Sequence, residues 1–562
     1  MTTQTKFDPL TLEILWQRLI TVVDEMASIV VRTSFSTVIG AANDFGCEVM
    51  DAQGRSLAHA TRSMPVFNQT LPHVTQAVIE KFGIETMRPG DVFITNDPWL
   101  CAGHNPDIAV MTPFFRNGEL MGFAASVAHV SDAGGMLDSN LARESYDEGL
   151  LIPMARLYNQ GQLNEVILDF IAQNVRVSES VIGDVQAQVT ANQAGGQKML
   201  ALMDEYGLAD LRNLSDEIQN RSEKAMRASI AKVPDGDYRS RVVFNEFDGE
   251  LEIQCKISVQ GDELTADFAG SSPQQPKGGI NCTFVYSRGQ ASYGLKCILL
   301  PDVPSNGGCF RPIEISAPQG SILNCTKPAS VRMRTRTGWY IHNALFAALA
   351  PVLPDQVMAP SGFIGGATVF AHPKTSNGTG EKTLHSWFFN GGGMGAGSTT
   401  DGVSTCIYPS SASNVPIELF EVAVPILVEQ KEFLTDSGGP GKQRGGLGLQ
   451  MALRKLESFD GEPVVSLWLH GQSIPPLGLN GGGEANAAQV YIDGQELSEE
   501  ERAEGTGLIT LDSADTLIAF TTTGGGGFGE AKQRNRALVA EDLRNGLISE
   551  EKAATEYGYT FV

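Results

Sequence analysis

Apolar residues recur at helical spacing near the start of the chain. Asp8 and Pro9 precede this pattern, as an N-cap residue and a proline at the first helical position do. The repeat advances in steps of three and four residues through Leu12, Leu15, Leu19, Val22, Val23, Met26 and Val30. The pattern predicts a long amphipathic helix from Pro9 to about Thr33.

Short apolar runs separated by turn residues follow this helix. They are CEVMD, DVFITN, IAVMTPFF and LMGFAASVAHV, and the last two are separated by Arg116-Asn117-Gly118. Helical spacing then returns from Gln162 to about Ala231, and glycines predict interruptions near Gly195-Gly196 and at Gly207. We therefore expect a sheet followed by a helical region.

The remainder of the chain alternates predicted strands, helices and glycine-rich loops. After VPDGDY, a strand meander is predicted from RVVFNEF, LEIQCKISVQ and ELTADFAG. Further along, a helix is predicted in TGWYIHNALFAALAPVL, strands in PVVSLWLHG, AAQVYID and TLIAFTT, and a helical tail in QRNRALVAEDLRNGLISEEKAATEYG.

These elements predict an α+β, multidomain protein, with mixed sheets, a long N-terminal helix, a helical segment and glycine-rich loops. A chain of 562 residues exceeds the size at which a single hydrophobic core stops growing. We predict three domains. They are an N-terminal α+β domain with the helical segment (1–232), a central β-meander and α/β domain (233–430), and a C-terminal glycine-rich β region with the helical tail (431–562).

The amino-acid composition argues against nucleic acid and membranes as binding partners. With 41 basic and 65 acidic residues, the net charge of −24 repels nucleic acid and anionic membranes. The N-terminus MTTQTKFDPL lacks the basic and apolar regions of a signal peptide, which predicts a cytoplasmic location. The eight cysteines are scattered without a CxxC pair, so neither a disulfide framework nor a thiolate zinc site is expected.

The candidate chemistry lies in ITNDPWLCAGHNPDIAVMTPFF, where Asp97, His104 and Asp107 fall within eleven positions. Pro106 disfavours helix at the preceding residue, so a turn is predicted over HNPD. A β-turn places its first and fourth residues within about 7 Å, close enough for His104 and Asp107 to bind one ion.

A second histidine follows in VAHVSDAGG, where His129 ends an apolar strand and Asp132 comes directly after it. Mixed imidazole and carboxylate ligands suit zinc, manganese or ferrous iron, whereas calcium prefers oxygen alone. The spacing leaves a second interpretation open, in which His104 caps a turn and His129 is a buried structural histidine, since no HExxH signature is present.

The glycine-rich motifs lack the complete signatures of a nucleotide site. TTTGGGGFGEAKQRN contains G-x-G-x-x-G at Gly524, Gly526 and Gly529, but it lacks the second strand with an acidic end that a dinucleotide unit needs. DSGGPGKQRGGLG fails the Walker A pattern, and no G-x-S-x-G elbow is present. A structural loop is the favoured interpretation, and ATP, if it is used, is expected on another chain.

Ordered motifs along nearly the whole chain resemble one family. They are DPLTLEILWQRL, RTSFS, NDFGCEVMD, MPVFNQTLPH, GDVFITNDPWLCAGHNPD, AHVSDAGG, EGLLIP, GGINCTFVYSRGQASYGLKCIL, DVPSNGGCFRPI, GGPGKQRGG and GGGGFG. On these motifs the chain resembles the family of hydantoinase B, 5-oxoprolinase and the acetone carboxylase α-subunit, and an N-methylhydantoinase B-like subunit in particular.

The resemblance implies a site. Its metal ligands match Asp44, His104, Asp107 and His129, and its assisting catalytic carboxylates match Asp97 and Asp132. The chain departs from the family pattern around these positions, with Gly46 in place of a serine, Asn105 in place of an apolar residue, and Ala42-Asn43 where charged residues are common. These departures leave the ligand set intact and affect the expected substrate specificity.

The resemblance also implies an activity and a partner. The expected function is the metal-containing subunit of an ATP-dependent cyclic amide hydrolase acting on a hydantoin, a lactam or 5-oxoproline. The expected cofactors are one divalent transition metal (zinc, manganese or iron) and ATP with Mg on a larger, actin-like, hydantoinase A-like ATPase subunit, in a heterotetramer. That subunit phosphorylates the carbonyl oxygen of the cyclic amide, and the metal site then supplies the attacking water.

Two alternatives remain at this point. One is the α subunit of an ATP-dependent ketone carboxylase, and the other is a non-catalytic scaffold for the ATPase subunit. A requirement for bicarbonate favours the carboxylase, whereas release of a ring-opened amino acid favours the hydrolase.

Overall fold

A computed structural model describes residues 7–246, 249–373, 383–498 and 508–560. The chain forms two compact units, the first made of Met1–Tyr238 with Lys256–Ile341 and the second of Arg239–Cys255 with His342–Val562. The division into three domains stays a prediction. Within the described ranges, no helix combines the length and apolarity needed to cross a membrane.

The first unit is organised around an antiparallel sheet of order β2-β1-β5-β4-β3-β6-β7. Its strands are β1 Phe45–Asp51, β2 Ser56–His59, β3 Val92–Thr95, β4 Asp107–Arg116, β5 Glu119–His129, β6 Ala155–Asn159 and β7 Gln162–Leu163. Its helices are α1 Pro9–Thr33, α2 Thr37–Gly40, α3 Phe67–Phe82, α4 Glu165–Asn174, α5 Ser178–Glu205, α6 Arg212–Ile230, α7 Phe284–Leu299 and α8 Thr335–Gly338, with 3₁₀ turns at Ile84–Thr86, Ser139–Leu141 and Gly307–Phe310.

Helix α1 has the predicted bounds and the predicted cap. The Asp8 carboxylate accepts hydrogen bonds from the amides of Leu10 and Thr11, at 3.1 and 3.0 Å. Its apolar stripe packs on one face of the sheet in a core that also includes Phe45, Val49 and residues of α5. Helix α3 lies against β1 and β5, and Gly46 of β1 faces Phe67 of α3 so closely that an added Cβ would lie 2.9 Å from the Phe67 Cβ.

The predicted interruption at Gly195-Gly196 is wrong, because α5 runs through both residues. A Cβ at Gly195 would lie 2.3 Å from the Met26 sulfur of α1, and one at Gly196 would lie 3.0 Å from the Phe114 Cβ of β4. The glycines therefore permit close helix packing and do not end the helix. The predicted break at Gly207 is confirmed, since α5 ends at Glu205 and Gly207 has a φ of +63°.

The predicted meander is confirmed as β8 Gly236–Glu246, β9 Gly249–Gln260 and β10 Glu263–Asp267. These strands form a sheet of order β11-β10-β9-β8, in which β11 Ile313–Ser316 pairs parallel to β10. Phe247, at the end of the first predicted strand, lies outside the described residues.

The second unit contains two further sheets, of order β13-β12-β16-β19 and β14-β15-β20-β17-β18. Their strands are β12 Gly365–Ala371, β13 Leu384–Asn390, β14 Ile426–Phe433, β15 Leu449–Lys455, β16 Val464–Trp468, β17 Val490–Ile492, β18 Gln495–Glu496, β19 Ile509–Thr510 and β20 Ile518–Thr521. The helices that follow α8 are α9 Tyr340–Leu349, α10 Ile417–Ala423, α11 Arg536–Arg544 and α12 Glu550–Thr555, with a 3₁₀ turn at Ala531–Gln533. The predicted α+β class is confirmed.

Glycine-rich segments of the second unit pack backbone against backbone. We call them the glycine cluster, formed by residues 391–397, 438–448, 478–483 and 524–529. The amides of Gly524–Gly529 all donate within the unit, to acceptors that include the carbonyls of Gly446 and Gly483 and the side chain of Asn486. These hydrogen bonds favour the interpretation of the G-x-G-x-x-G motif as a structural loop, which stays a prediction.

Gly445→Ala is expected to destabilise the second unit by about 3 kcal/mol or more, the upper part of the range for overpacked sites. A Cβ at Gly445 would lie 1.8 Å from the carbonyl oxygen of Gly525, and backbone cannot move aside as a side-chain end can. Gly397→Ala is the matched control, since its Cβ would meet only the Thr400 hydroxyl at 3.3 Å. Urea denaturation of both variants checks this, and equal midpoints would contradict tight packing of the cluster.

Candidate metal centre

Three of the predicted ligands form one row across the first unit's large sheet. Asp107 begins β4 and His129 ends β5, and the two residues pair in register. Asp44 immediately precedes β1, and its carbonyl accepts the His129 amide at 3.0 Å. Because cross-strand neighbours project from the same face of a sheet, strand order β1-β5-β4 brings the three side chains together.

His104 reaches the same place from the turn before β4. Residues 101–106 form turns and bends, as predicted for HNPD. Gly103 has a φ of +89°, and a Cβ there would lie 2.6 Å from Tyr286 and 2.8 Å from Arg334. Only glycine combines this positive φ with the small space beside Tyr286 and Arg334. The turn can therefore approach these later residues closely, and it places the His104 ring against this part of the chain.

The four side chains are buried and close to one another. His104 Nε2 lies 2.9 Å from Asp107 Oδ1, and His129 Nδ1 lies 3.1 Å from the same oxygen. Candidate ligand atoms of His104, Asp107 and His129 all lie within 4.8 Å of one another. Asp44 lies beside this triad, with its Oδ2 3.8 Å from His129 Nδ1.

The protonation state of His104 follows from its other nitrogen. Nδ1 lies 2.9 Å from the carbonyl oxygen of Arg332. A carbonyl only accepts hydrogen bonds, so Nδ1 carries a proton and Nε2 of the neutral ring carries a lone pair. This lone pair lies beside the Asp107 carboxylate without making a hydrogen bond. Two acceptors at 2.9 Å repel one another unless a cation lies between or beside them.

Electrostatics keep His104 neutral and Asp107 ionised. Burial, reinforced by the charge of Arg334, lowers the pKa of His104 to about 3. Burial opposes ionisation of Asp107, but the neighbouring His104 and Arg334 outweigh it and hold the pKa of this carboxyl below its usual range. Burial raises the pKa of Asp44 to about 6, against the effect of His129.

This donor set fits a divalent transition metal. Neutral imidazole and carboxylate are ligands that zinc, manganese and ferrous iron accept, and the His104 tautomer fixed by Arg332 leaves Nε2 available. His104, Asp107 and His129 would hold the ion, and Asp44 is the nearest further carboxylate.

The two carboxylates assigned as catalytic have other partners. Asp132 is buried and accepts hydrogen bonds from Arg176, through its side chain at 2.8 Å and through its backbone amide. Asp97 accepts a hydrogen bond at 2.7 Å from Lys327 and caps its own turn. These contacts are typical of carboxylates that stabilise loops, and the role of general base stays a prediction for both residues.

Residues that the sequence did not single out surround the triad. Arg334 donates to Asp107 Oδ2 at 2.8 Å, and the Tyr286 ring lies under its guanidinium at 4.3 Å. Glu148 accepts hydrogen bonds from the amides of Val331 and Arg332, each at 2.7 Å. The sequence marks this segment only by the repeated arginines of VRMRTRTG, which fold into a turn followed by α8.

Glu148 gives the metal-free protein a pH-dependent stability. Burial raises the pKa of Glu148 to about 7 from its ordinary value of 4.5, and its second oxygen is buried without a hydrogen bond. Between these values the folded protein binds the proton more tightly than the unfolded chain, so stability falls as pH rises through this window. Between pH 5 and pH 8, Glu148→Gln should therefore gain about 2 kcal/mol relative to wild type.

Urea denaturation at the two pH values, in the presence of a chelator, measures this gain. Glu144→Gln, which removes an exposed carboxylate of the same loop, is the matched control and should show no pH-dependent gain. A Glu148→Gln variant that tracks wild type at both pH values would mean that Glu148 is ionised in the folded protein.

Comparison with known proteins gives consistent matches over nearly the whole chain. The family model described as Hydantoinase B/oxoprolinase matches residues 8–531. The B subunit of a putative D-/L-hydantoinase from Pseudomonas sp. (strain NS671) is 31% identical over 591 residues, which cover 99% of this chain and 95% of that protein.

Two solved structures share the fold. The ATP-dependent caprolactamase from Pseudomonas jessenii is 27% identical and has a TM-score of 0.87, with 99% of this chain and 97% of that chain covered. A nucleotide-free acetone carboxylase structure has a TM-score of 0.86 at 18% identity, covering 98% of this chain and 80% of its own. At that identity the second match shows a likeness of fold alone.

Proposed function

Since the chain belongs to the hydantoinase B/oxoprolinase family, we propose that it is the metal-containing subunit of an ATP-dependent cyclic amide hydrolase. The observation that carries the proposal is the buried cluster in which the His104 Nε2 lone pair and the Asp107 carboxylate lie 2.9 Å apart. Similarity to one chain of a hydantoinase and to a caprolactamase supports a hydantoin or a lactam as the substrate class.

We assign the two steps of the reaction, phosphoryl transfer and hydrolysis, to two different chains. An unstrained amide resists water because its nitrogen donates electrons into the carbonyl, and a phosphoryl group on the carbonyl oxygen removes this resistance. The hydantoinase relative is named as one subunit of its enzyme, which supports a partner for this chain, and the caprolactamase described as ATP-dependent supports ATP as the phosphoryl donor. In the glycine cluster the amides of residues 524–529 are already hydrogen-bonded, which supports a nucleotide site on the partner.

The residues of this chain then bind and orient the reacting groups. A divalent metal, when bound, supplies Lewis acidity and an ionised water near neutral pH. His104 and Asp107 present Nε2 and Oδ1 towards one point, and the carbonyl of Arg332 keeps the His104 ring in the tautomer that offers a lone pair. Asp44, whose Oδ2 lies 3.8 Å from His129 Nδ1, is the carboxyl placed to accept a proton beside the triad.

The test is product analysis with the co-expressed pair. This chain and an ATPase subunit encoded beside it would be incubated with ATP, Mg²⁺ and a panel of hydantoins, lactams and 5-oxoproline. The proposal predicts release of a ring-opened amino acid or carbamoyl amino acid, detected by mass spectrometry, that requires both ATP and bound metal. Omission of ATP and chelation of the metal are the controls.

Other outcomes of the same assay identify the alternatives. Incorporation of bicarbonate into a ketone, with all substrate carbon retained, would show a carboxylase. Activity that survives both chelation and loss of the histidines would show that this chain is a scaffold.

A further inference from the structure

We propose that Arg334 is the positioning residue of the metal centre, and that it turns the Asp107 carboxylate so that Oδ1 faces the two histidines. This inference rests on the metal site proposed above and extends it to a residue 227 positions away in the sequence. Its consequence is that metal affinity depends on a side chain that does not itself bind the ion.

The Arg334 guanidinium is fixed by three contacts. Nη2 donates to Asp107 Oδ2 at 2.8 Å, and Nε donates to the carbonyl of Ala102 at 2.7 Å. The planar group also stacks on the Tyr286 ring, 4.3 Å from its centre. Arg334 is only 4% exposed, so water does not replace these contacts. Because Oδ2 is held, the carboxylate cannot rotate, and Oδ1 stays near the His104 and His129 rings.

The surrounding chain is built around this side chain. A Cβ at Gly103 would lie 2.8 Å from the Arg334 Cδ, so the turn that carries His104 closes directly on the arginine. The Tyr286 hydroxyl in turn accepts a hydrogen bond from Gln290 at 2.9 Å, which holds the ring on which Arg334 stacks. This arrangement favours a dedicated support for Asp107 over an incidental ion pair.

Residues 331–334, which include Arg334, also orient the His104 ring. The carbonyl of Arg332 accepts the His104 Nδ1 proton, and Glu148 holds the amides of Val331 and Arg332. One segment thus orients both the imidazole and the carboxylate. Groups that support metal ligands in this way commonly change metal affinity by about 10- to 100-fold when they are removed.

The experiment compares zinc affinity across three variants of the full chain. Competition with a chromophoric chelator is expected to give 10- to 100-fold weaker zinc binding in Arg334→Gln. Arg334→Lys keeps the charge but cannot reach both acceptors in a planar fork, so its affinity should be intermediate. Arg336→Gln is the matched control, because this neighbouring arginine donates to Asn140 at 3.1 Å, and it should bind zinc as wild type does.

A second readout separates positioning from mere structural support. The visible absorption spectrum of the cobalt-substituted protein reports ligand geometry, and it should change in Arg334→Gln while it stays the same in Arg336→Gln. If wild-type protein binds no zinc or cobalt, both the proposed function and this inference are wrong. If wild type binds metal and folded Arg334→Gln has the same affinity and spectrum, the inference alone is wrong. If Arg334→Gln does not fold, wild-type affinity in Arg334→Lys overturns the inference instead.

Discussion

Replacement of His104 or His129 by alanine is expected to remove the bound metal and to lower turnover of the assembled enzyme by roughly a thousandfold or more. Each histidine supplies one of the few donors that converge on the site. Both rings are buried, with His104 5% and His129 6% exposed. Elemental analysis and turnover should fall together, while the circular dichroism spectrum and binding of the ATPase partner stay unchanged.

The matched control is His372→Ala, which removes an exposed histidine of the second unit and should keep both metal and turnover. A His104 variant that lost metal and retained wild-type turnover would contradict the proposed chemistry. A variant that unfolded would instead favour the other interpretation of the sequence, in which the histidines have a structural role.

Complete dependence on a partner chain is the second large effect that we expect. The isolated chain should neither bind ATP tightly nor open any cyclic amide, because the amides of Gly524–Gly529 are hydrogen-bonded within the second unit. Adding the ATPase subunit should restore turnover, and the two chains should elute together in size-exclusion chromatography with light scattering. Micromolar ATP affinity of this chain alone, measured by calorimetry, would contradict the assignment of the ATP site to the partner chain.

Local patterns were sufficient to predict the elements that carry the site. The bounds of α1, the end of β5 at His129 and the turn over HNPD all follow from spacing, capping and proline within a few residues. The proximity of His104 and Asp107 also follows, since both belong to one turn. These features depend on interactions between residues that are close in the sequence.

Features that depend on tertiary packing were not predictable in this way. The row formed by Asp44, His129 and Asp107 requires the strand order β1-β5-β4. This order depends on pairing between strands that are distant in the sequence, so the pattern within one strand does not predict it. The Gly195-Gly196 pair was expected to end a helix, and only the packing of Met26 and Phe114 explains why it does not.

The support of Asp107 by Arg334 belongs to the same class. It joins residues 227 positions apart, and their pairing becomes evident only once the chain is folded. The alternation of arginines in VRMRTRTG marks the segment without indicating what it contacts. Similarly, Asp97 and Asp132 matched family motifs, yet their contacts are with Lys327 and Arg176.

Anomalous X-ray diffraction from crystals of the purified chain tests directly whether His104, Asp107 and His129 bind a metal. Data would be collected above and below the absorption edge of the metal found by elemental analysis. We expect one strong anomalous peak about 2 Å from both His104 Nε2 and Asp107 Oδ1, with the His129 ring as a further neighbour. A preparation of this chain that becomes fully active when the ATPase subunit is added, yet whose crystals show the anomalous peak elsewhere or no peak at this cluster, would contradict this assignment.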